Sequence, residues 1–383
     1  MAPDPARAEI VVDLAAVRHN VRLLRGLTGP DVAMMTVVKA DGYGHGMSAV
    51  AAAARTAGAT WLGVATVEEA LALREAGDTG RLLCWLGVPG EDYSAALAGD
   101  IDVTAYSQAE LAEIEDAARA TGVTARLQLK VDTGLARGGA RLEDWPDLVA
   151  AAAKAESVGL VRVTGVWSHF ACSDEPRHPA NDDQQRVFEE ALEITAAAGL
   201  TPEVRHLANS AATVLRPGSH YDLVRCGIAS YGLDPAPGET APDLGLVPAM
   251  TVRARLSMVK RLRAGDSVSY GHRWTAPYDT TVGLVPAGYG DGVPRIASDR
   301  VSAWAAGARR PLRGRVCMDQ VVVELGDAEA RPGDEVVLFG TGAGGGPTAT
   351  EWAQACETIN YEIVTRIGGR FTRTIVDSEG TQP

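Results

Sequence analysis

From residue 32 to residue 229 the chain repeats one pattern: a short run rich in β-branched and apolar residues, then a stretch rich in alanine, glutamate and arginine. That alternation is the signature of βα units laid into a parallel sheet. The apolar runs fall at 32–39, 60–66, 81–87, 101–105, 125–131, 161–169, 203–209 and 222–229, which makes eight. Between them VEEALALREA (67–76), SQAELAEIEDAARAT (107–121) and DDQQRVFEEALEITAAA (182–198) have helical character, each followed by glycine as a stop signal. Eight such units predict an α/β fold, a (β/α)8 TIM-type barrel over residues 10–240.

After Tyr231 the pattern changes. Pro235, Pro237, Pro242 and Pro248 punctuate a linker, and short runs separated by turns such as AGD (264–266) and PGD (332–334) predict a mainly β domain over 245–383. One helix is expected there at 349–366, where Thr348 and Glu351 have capping-box spacing and Gly368-Gly369 supplies the stop. Residues 1–9 read as an extended N-terminal segment. A length of 383 residues suits two such domains.

The net charge of −13 argues against nucleic acid and anionic membrane as partners, since both call for a basic surface. Five scattered cysteines without C-x-x-C spacing fit reduced thiols, and no stretch reads as a signal peptide or a bilayer span, so a cytoplasmic location is expected. The seven histidines show no metal-ligand spacing, and no metal is assigned. The glycine-rich stretch 340–347 lacks the G-K-[ST] of a nucleotide loop and reads as a hairpin loop.

In such a barrel the chemistry sits at the C-terminal ends of the strands. Those ends carry Lys39, Lys130, Asp132, His169, Asn209, Ser210 and the run Arg225 to Ile228, so polar groups from separate strands converge on one face. Taken alone, Lys39 is an ordinary lysine whose stem lies on apolar surface. Held in a partly apolar strand end, however, its ammonium loses solvation, its pKa falls, and it becomes a nucleophile toward carbonyls. The glycines of GYGHG (42–46) allow positive φ and close approach of backbone to a ligand, although a plain turn also uses glycine. RCGIA (225–229) offers the N–H groups of Gly227 and Ile228, with the Ser210 hydroxyl, to a phosphate, and reads equally as a packed strand.

The segments VVKADGYGHG (37–46), KVDTGLAR (130–137), SHFA (168–171), HLANSAAT (206–213), RCGIASYG (225–232), VSYGHRW (268–274), GYGDGVPR (288–295), GRVCMDQ (314–320) and INYE (359–362) together resemble the alanine racemases, in the same order along nearly the whole chain. Leu135 and Gly138-Gly139 depart from the family pattern. The resemblance implies a pyridoxal 5'-phosphate enzyme that interconverts L-alanine and D-alanine and supplies D-alanine for peptidoglycan. Lys39 would bind the cofactor covalently and act as one base, and Tyr270 as the base on the opposite face. His169 and Arg225 would complete the catalytic set, with Arg225 facing the pyridine nitrogen as a pure donor that weakens the electron sink. Tyr43, Ser210, Gly227, Ile228 and Tyr361 would hold the phosphate, with Asn209, His206 and Arg137 also at the cofactor. Arg137 would further meet the substrate carboxylate, and Lys130 matches a position where the family often carries a carbamylated lysine. Tyr270, Tyr289, Cys317, Met318 and Asp319 would reach the site from the partner of a head-to-tail homodimer.

Three other readings compete. A decarboxylase of the same architecture is disfavoured by the Tyr270 and RVCMDQ segments, and a non-catalytic cofactor carrier leaves residues 245–383 without a purpose. A broad-specificity racemase is the nearest rival, though many of these are exported and this chain lacks a signal.

Overall fold

The computed structural model describes residues 6–241 and 244–378; the first five residues of the expected N-terminal segment, Pro242 of the linker and residues 379–383 lie outside the described residues. The chain opens on strand β1 (Ala8–Asp13), whose residues alternate buried and half-buried. The eight expected barrel strands then follow as β2 (Ala33–Val37), β3 (Trp61–Val64), β4 (Arg81–Cys84), β5 (Asp102–Ala105), β6 (Ala125–Asp132), β8 (Val161–Trp167), β9 (Val204–His206) and β10 (Leu223–Cys226), with a two-residue β7 (Ala140–Arg141) beside β6. They pair in parallel in the order β10-β2-β3-β4-β5-β6-β8-β9. The ring closes where Asp222 N–H donates to Arg205 O and Arg225 N–H to Ala208 O, both at 3.0 Å. Most barrel strands are buried on both faces, as parallel strands under helices must be.

Two sequence expectations about the barrel need correction. Residues 10–13, placed with the barrel, belong to the β domain: β1 pairs antiparallel with Met250–Arg255 and parallel with Thr372–Val376 inside a nine-stranded sheet. Period-two burial suits a strand with one wet face, not a barrel stave. Nor does β10 lead into an α-helix. A 3-10 turn (Ile228–Tyr231) follows it, and the helix Leu14–Gly26, capped by Asp13, packs against that turn and against Met47–Thr56. The eighth helical position is thus filled from the start of the chain.

The helix expected at 349–366 is two helices, Ala349–Ala355 and Asn360–Arg366. The Thr348 and Glu351 capping box is present, but Glu357 takes a left-handed φ of 58° and breaks the run. The second helix then packs on the turn after Lys39 and carries Tyr361 toward the barrel. Both domains share one continuous core, so the β domain is anchored to the rim of the barrel.

Candidate active site

Lys39 stands at the C-terminal end of β2 and opens a five-residue turn with unusual backbone. Ala40, Asp41, Gly42, Tyr43 and Gly44 have φ of 53°, 52°, 63°, 52° and 79°, a left-handed turn in which three residues are not glycine. Each non-glycine residue there costs roughly 1–2 kcal/mol, so the turn must be held from outside. Glu69 caps the helix Val67–Glu75 and also accepts from Ala40 N–H at 2.7 Å. Asp41 accepts from Met47 N–H at 2.9 Å and pairs with Arg373 at 2.7 Å, while Arg373 also donates to Gly44 O. A strained segment fixed by both domains beside a lysine is the mark of a functional position. Positive φ at Gly42, Gly44 and Gly46 agrees with the turn expected from the sequence.

The turn faces a cavity of about 590 Å³ at the C-terminal rim of the barrel. Of the residues expected at the site, Lys39, Tyr43, Lys130, Arg137, His169, Asn209, Ser210, Arg225, Gly227, Ile228 and Tyr361 line it. Burial, then the charge of Arg137, lowers the pKa of Lys39, and the amine lies 5.8 Å from the centre of the Trp85 ring. A desolvated amine of this kind is a usable nucleophile and base.

At one end of the cavity the groups are anion-binding donors. Ser210 Oγ accepts from Gly227 N–H at 2.8 Å, which leaves its own proton to donate. Ile228 opens the 3-10 turn, so its N–H has no acceptor within it. The rings of Tyr43 and Tyr361 stand 6.1 Å apart, and burial pushes both phenols well above their usual pKa, keeping them as neutral donors. A Cβ on Gly227 would lie 2.4 Å from the Tyr43 hydroxyl, so that hydroxyl can stand where it does only because residue 227 has no side chain.

At the other end lies Arg225, buried without a carboxylate among the described residues. Its NH1 group donates to His206 Nδ1 and His206 O, both at 3.0 Å; NH2 donates to Ser168 O (2.7 Å), Leu207 O (3.1 Å) and His169 Nδ1 (3.2 Å). Only Nε–H lacks a partner among the described residues. Burial presses the Arg225 pKa down to about 9, still cationic at neutral pH. His169 is held neutral by burial and by Arg225, Arg137, Lys130 and Lys39 around it. Since its Nδ1 accepts from Arg225, the ring proton sits on Nε2. Lys130, packed 4.7 Å from the Trp167 ring and 5.1 Å from that of Tyr106, has its pKa lowered to about 8 by burial and then by Arg225.

Two expected cofactor residues sit differently. His206 does not line the cavity; it lies behind Arg225, with Trp167 stacked on it at 5.6 Å. Asn209 lines the cavity, but its carbonyl oxygen caps the helix Ser210–Leu215 and accepts from Ser173, so it shapes the rim. Tyr270, Tyr289, Cys317, Met318 and Asp319 gather elsewhere, on the outer face of the β domain. Ser269 Oγ lies 3.3 Å from Cys317 Sγ, Tyr289 N–H donates to Cys317 O, and Arg370 ties Asp319 to Asp291. Tyr270, Met318 and Tyr289 are 71%, 54% and 41% exposed, a cluster of large side chains turned to solvent rather than to their own cavity.

The walls of the cavity carry no signal of their own in the sequence. Trp85, Tyr106, Trp167, Val37, Ala65 and Leu86 also line the cavity, and Trp85 meets Trp167 edge to face at 6.0 Å. An aromatic residue within an apolar run looks the same whether it packs a core or faces a ligand. Gly138, a departure from the family pattern, also lines the cavity, and a Cβ there would lie 3.5 Å from both Lys130 Nζ and the Tyr106 ring.

A closed parallel barrel with a desolvated lysine at its rim, flanked by anion donors and a buried arginine, defines an α/β-barrel enzyme fold whose site suits an amine acting on a small anionic ligand. Comparison with known proteins gives the family. Residues 12–235 match the N-terminal domain of alanine racemase and residues 249–375 its C-terminal domain. The alanine racemase of Salinispora arenicola is 52% identical over 377 residues, covering 98% of this chain and all of that one. The crystal structure of alanine racemase from D-cycloserine-producing Streptomyces lavendulae superposes with a TM-score of 0.96 at 52% identity, covering 98% of each chain. The enzyme of Bacillus anthracis, solved with bound L-Ala-P, does so at 0.90 and 33% identity, over 98% of this chain and 97% of that one. The chain belongs to the alanine racemase family.

Proposed function

We infer that the barrel cavity is where this isomerase interconverts L- and D-alanine, with pyridoxal 5'-phosphate as its cofactor. The observation that carries the reading is the meeting, in one cavity, of a desolvated lysine, a cradle of uncharged donors and a donor-only arginine. The residues fit the cofactor. Tyr43, Tyr361, the Ser210 hydroxyl and Ile228 N–H would hold its phosphate, with Gly227, whose own N–H goes to Ser210, leaving room for the Tyr43 hydroxyl. Arg225 Nε–H would donate to the pyridine nitrogen, and Lys39 would attach covalently. When bound, the cofactor withdraws electrons from the α-carbon and so acidifies its proton.

The chain's own groups then do the proton work. Lys39, kept from full solvation, takes or returns the α-proton on its face. Arg225 can only donate, so it would leave the cofactor's pyridine nitrogen unprotonated and would limit the charge that ring could draw away. Arg137, at the exposed mouth, is set to meet a carboxylate. Lys130 makes no ion pair among the described residues and feels only Asp132 as a nearby acid, and carbamylation would turn it into an anion among Arg137, Arg225 and Lys39.

Inversion needs a base on the opposite face, and the Tyr270 cluster points away from its own cavity. We therefore propose that the partner subunit's Tyr270 supplies it in a homodimer, with Tyr289, Cys317, Met318 and Asp319 forming the rest of the shared wall. A phenol there would face His169, whose neutral ring carries its proton on Nε2. Among the described residues no helix is long and apolar enough to cross a membrane; a cytoplasmic role in supplying D-alanine for peptidoglycan is part of the same proposal. The curated relatives are named alanine racemase, and neither a decarboxylase nor a broad-specificity racemase is favoured.

The test is direct. Purified protein with pyridoxal phosphate and L-alanine should yield D-alanine, and borohydride followed by peptide mapping should fix the cofactor on Lys39. D-alanine formation without label on Lys39 would remove that residue from its role.

A further inference from the structure

Beneath the cavity, inside the barrel, lies a chain of buried polar groups that the reaction described above does not use. Asp102, the first residue of β5, is fully buried and accepts from Arg81 NH2 at 2.7 Å, from Thr164 Oγ1 at 3.1 Å, from Arg126 and from Gln128 Nε2 at 3.3 Å. Gln128, in the middle of β6, presents its carbonyl oxygen to His206 Nε2 at 2.7 Å, and His206 Nδ1 accepts from Arg225 NH1 at 3.0 Å. Asp102, Gln128 and His206 are wholly inaccessible to solvent.

Donor and acceptor chemistry fixes the direction of every link. A carboxylate paired with two arginines can only accept, so the amide nitrogen of Gln128 must face Asp102 and its oxygen must face His206. An amide oxygen can only accept, so His206 must carry its proton on Nε2. His206 Nδ1 is then bare and takes a proton from Arg225, which has only protons to give. A charged His206 would set two donors against each other, and burial and Arg225 both hold that ring neutral. The barrel also reserves space for this link: a Cβ on Gly165 would sit 2.7 Å from the amide carbon and oxygen of Gln128.

We infer that Asp102 and Gln128 are positioning residues for racemisation: by fixing the His206 tautomer they commit Arg225 NH1 and orient the guanidinium so that Nε–H faces the cavity. The inference rests on Arg225 acting at the cofactor, as proposed above. Without the Gln128 oxygen, His206 can adopt the Nδ1–H form, which turns a donor toward Arg225 and forces the guanidinium to move.

The test begins on the wild-type protein without cofactor, with 15N-labelled histidine. Long-range 1H–15N spectra at pH 7 should show a neutral Nε2–H ring for His206, identified by its loss in His206→Gln. An Nδ1–H or doubly protonated ring would overturn the proposal, whatever the activity. Gln128→Leu should shift that signal toward Nδ1–H and lower kcat by about tenfold, the effect of losing one hydrogen bond to a charged group, with KM changed less than twofold. Gly165→Ala, which displaces Gln128 without removing it, should do the same in part and serves if Gln128→Leu does not fold. A shifted tautomer with unchanged kcat in either variant would refute the positioning role and leave the racemase reading intact. Failure of the wild type to racemise alanine would overturn that reading without touching the tautomer.

Discussion

The phosphate cradle can be probed at Gly227, whose neighbours leave no room for a side chain. In Gly227→Ala the new Cβ would stand 2.4 Å from the Tyr43 hydroxyl oxygen and 3.0 Å from Cζ, well inside van der Waals contact. Forcing a methyl group into such packing costs about 1–3 kcal/mol. The cost has two outlets. If Tyr43 stays in place, it appears as lost stability of the cofactor-free protein in urea unfolding. If Tyr43 swings aside, the phosphate loses a donor and the cost appears as weaker pyridoxal phosphate binding, about tenfold in Kd for each 1.4 kcal/mol. Stability and affinity losses together should reach about 1–3 kcal/mol. In a Tyr43→Phe background the 2.4 Å contact no longer exists, so the same glycine change should cost less, with a coupling of at least about 0.5 kcal/mol. Gly218→Ala is the control, because nothing lies within 4 Å of its added Cβ. Two sets of losses that simply add, or a Gly227→Ala protein matching the control, would refute this picture of the cradle.

Other perturbations test the remaining groups. Lys130 has a native pKa of about 8 against 10.5 unfolded, so the folded state sheds a proton that the unfolded chain keeps. With Lys130 unmodified, the stability of wild type relative to Lys130→Met should therefore rise between pH 8 and 10.5, by about 3 kcal/mol, whereas a flat difference would contradict a free titrating amine and agree with a carbamylated one. Arg225→Glu should let the pyridine nitrogen become protonated and so raise side reactions such as transamination, read as pyruvate formed per turnover; an unchanged product ratio would count against the donor-only role of Arg225.

The barrel was legible because its signal is repeated. All eight runs became strands, and rim residues as far apart as Lys39, Lys130, His169 and Arg225 could be placed on one face without knowing any contact. What the sequence hid depends on partners distant along the chain. β1 reads like any short apolar run until Met250–Arg255 and Thr372–Val376 flank it. Ala40, Asp41 and Tyr43 carry no sign of left-handed backbone, since the groups that hold them there, Glu69 and Arg373, come from other elements. The family resemblance implied His206 at the cofactor, yet one step along a strand moves a side chain from the rim to the interior. Gln128 and Asp102 passed as strand residues because a buried polar group shows its meaning only through its neighbours.

The site proposed above is assembled from two chains, with Lys39 in the barrel cavity and the partner subunit's Tyr270 across from it. Lys39→Ala and Tyr270→Ala proteins, each inactive alone, should be mixed in equal amounts, allowed to exchange subunits and assayed for D-alanine. Random pairing makes half the dimers mixed, and each mixed dimer holds one intact site of two, so activity should return to about one quarter of wild type. Activity no greater than that of the parent proteins, with exchange verified by mass, would contradict the shared site.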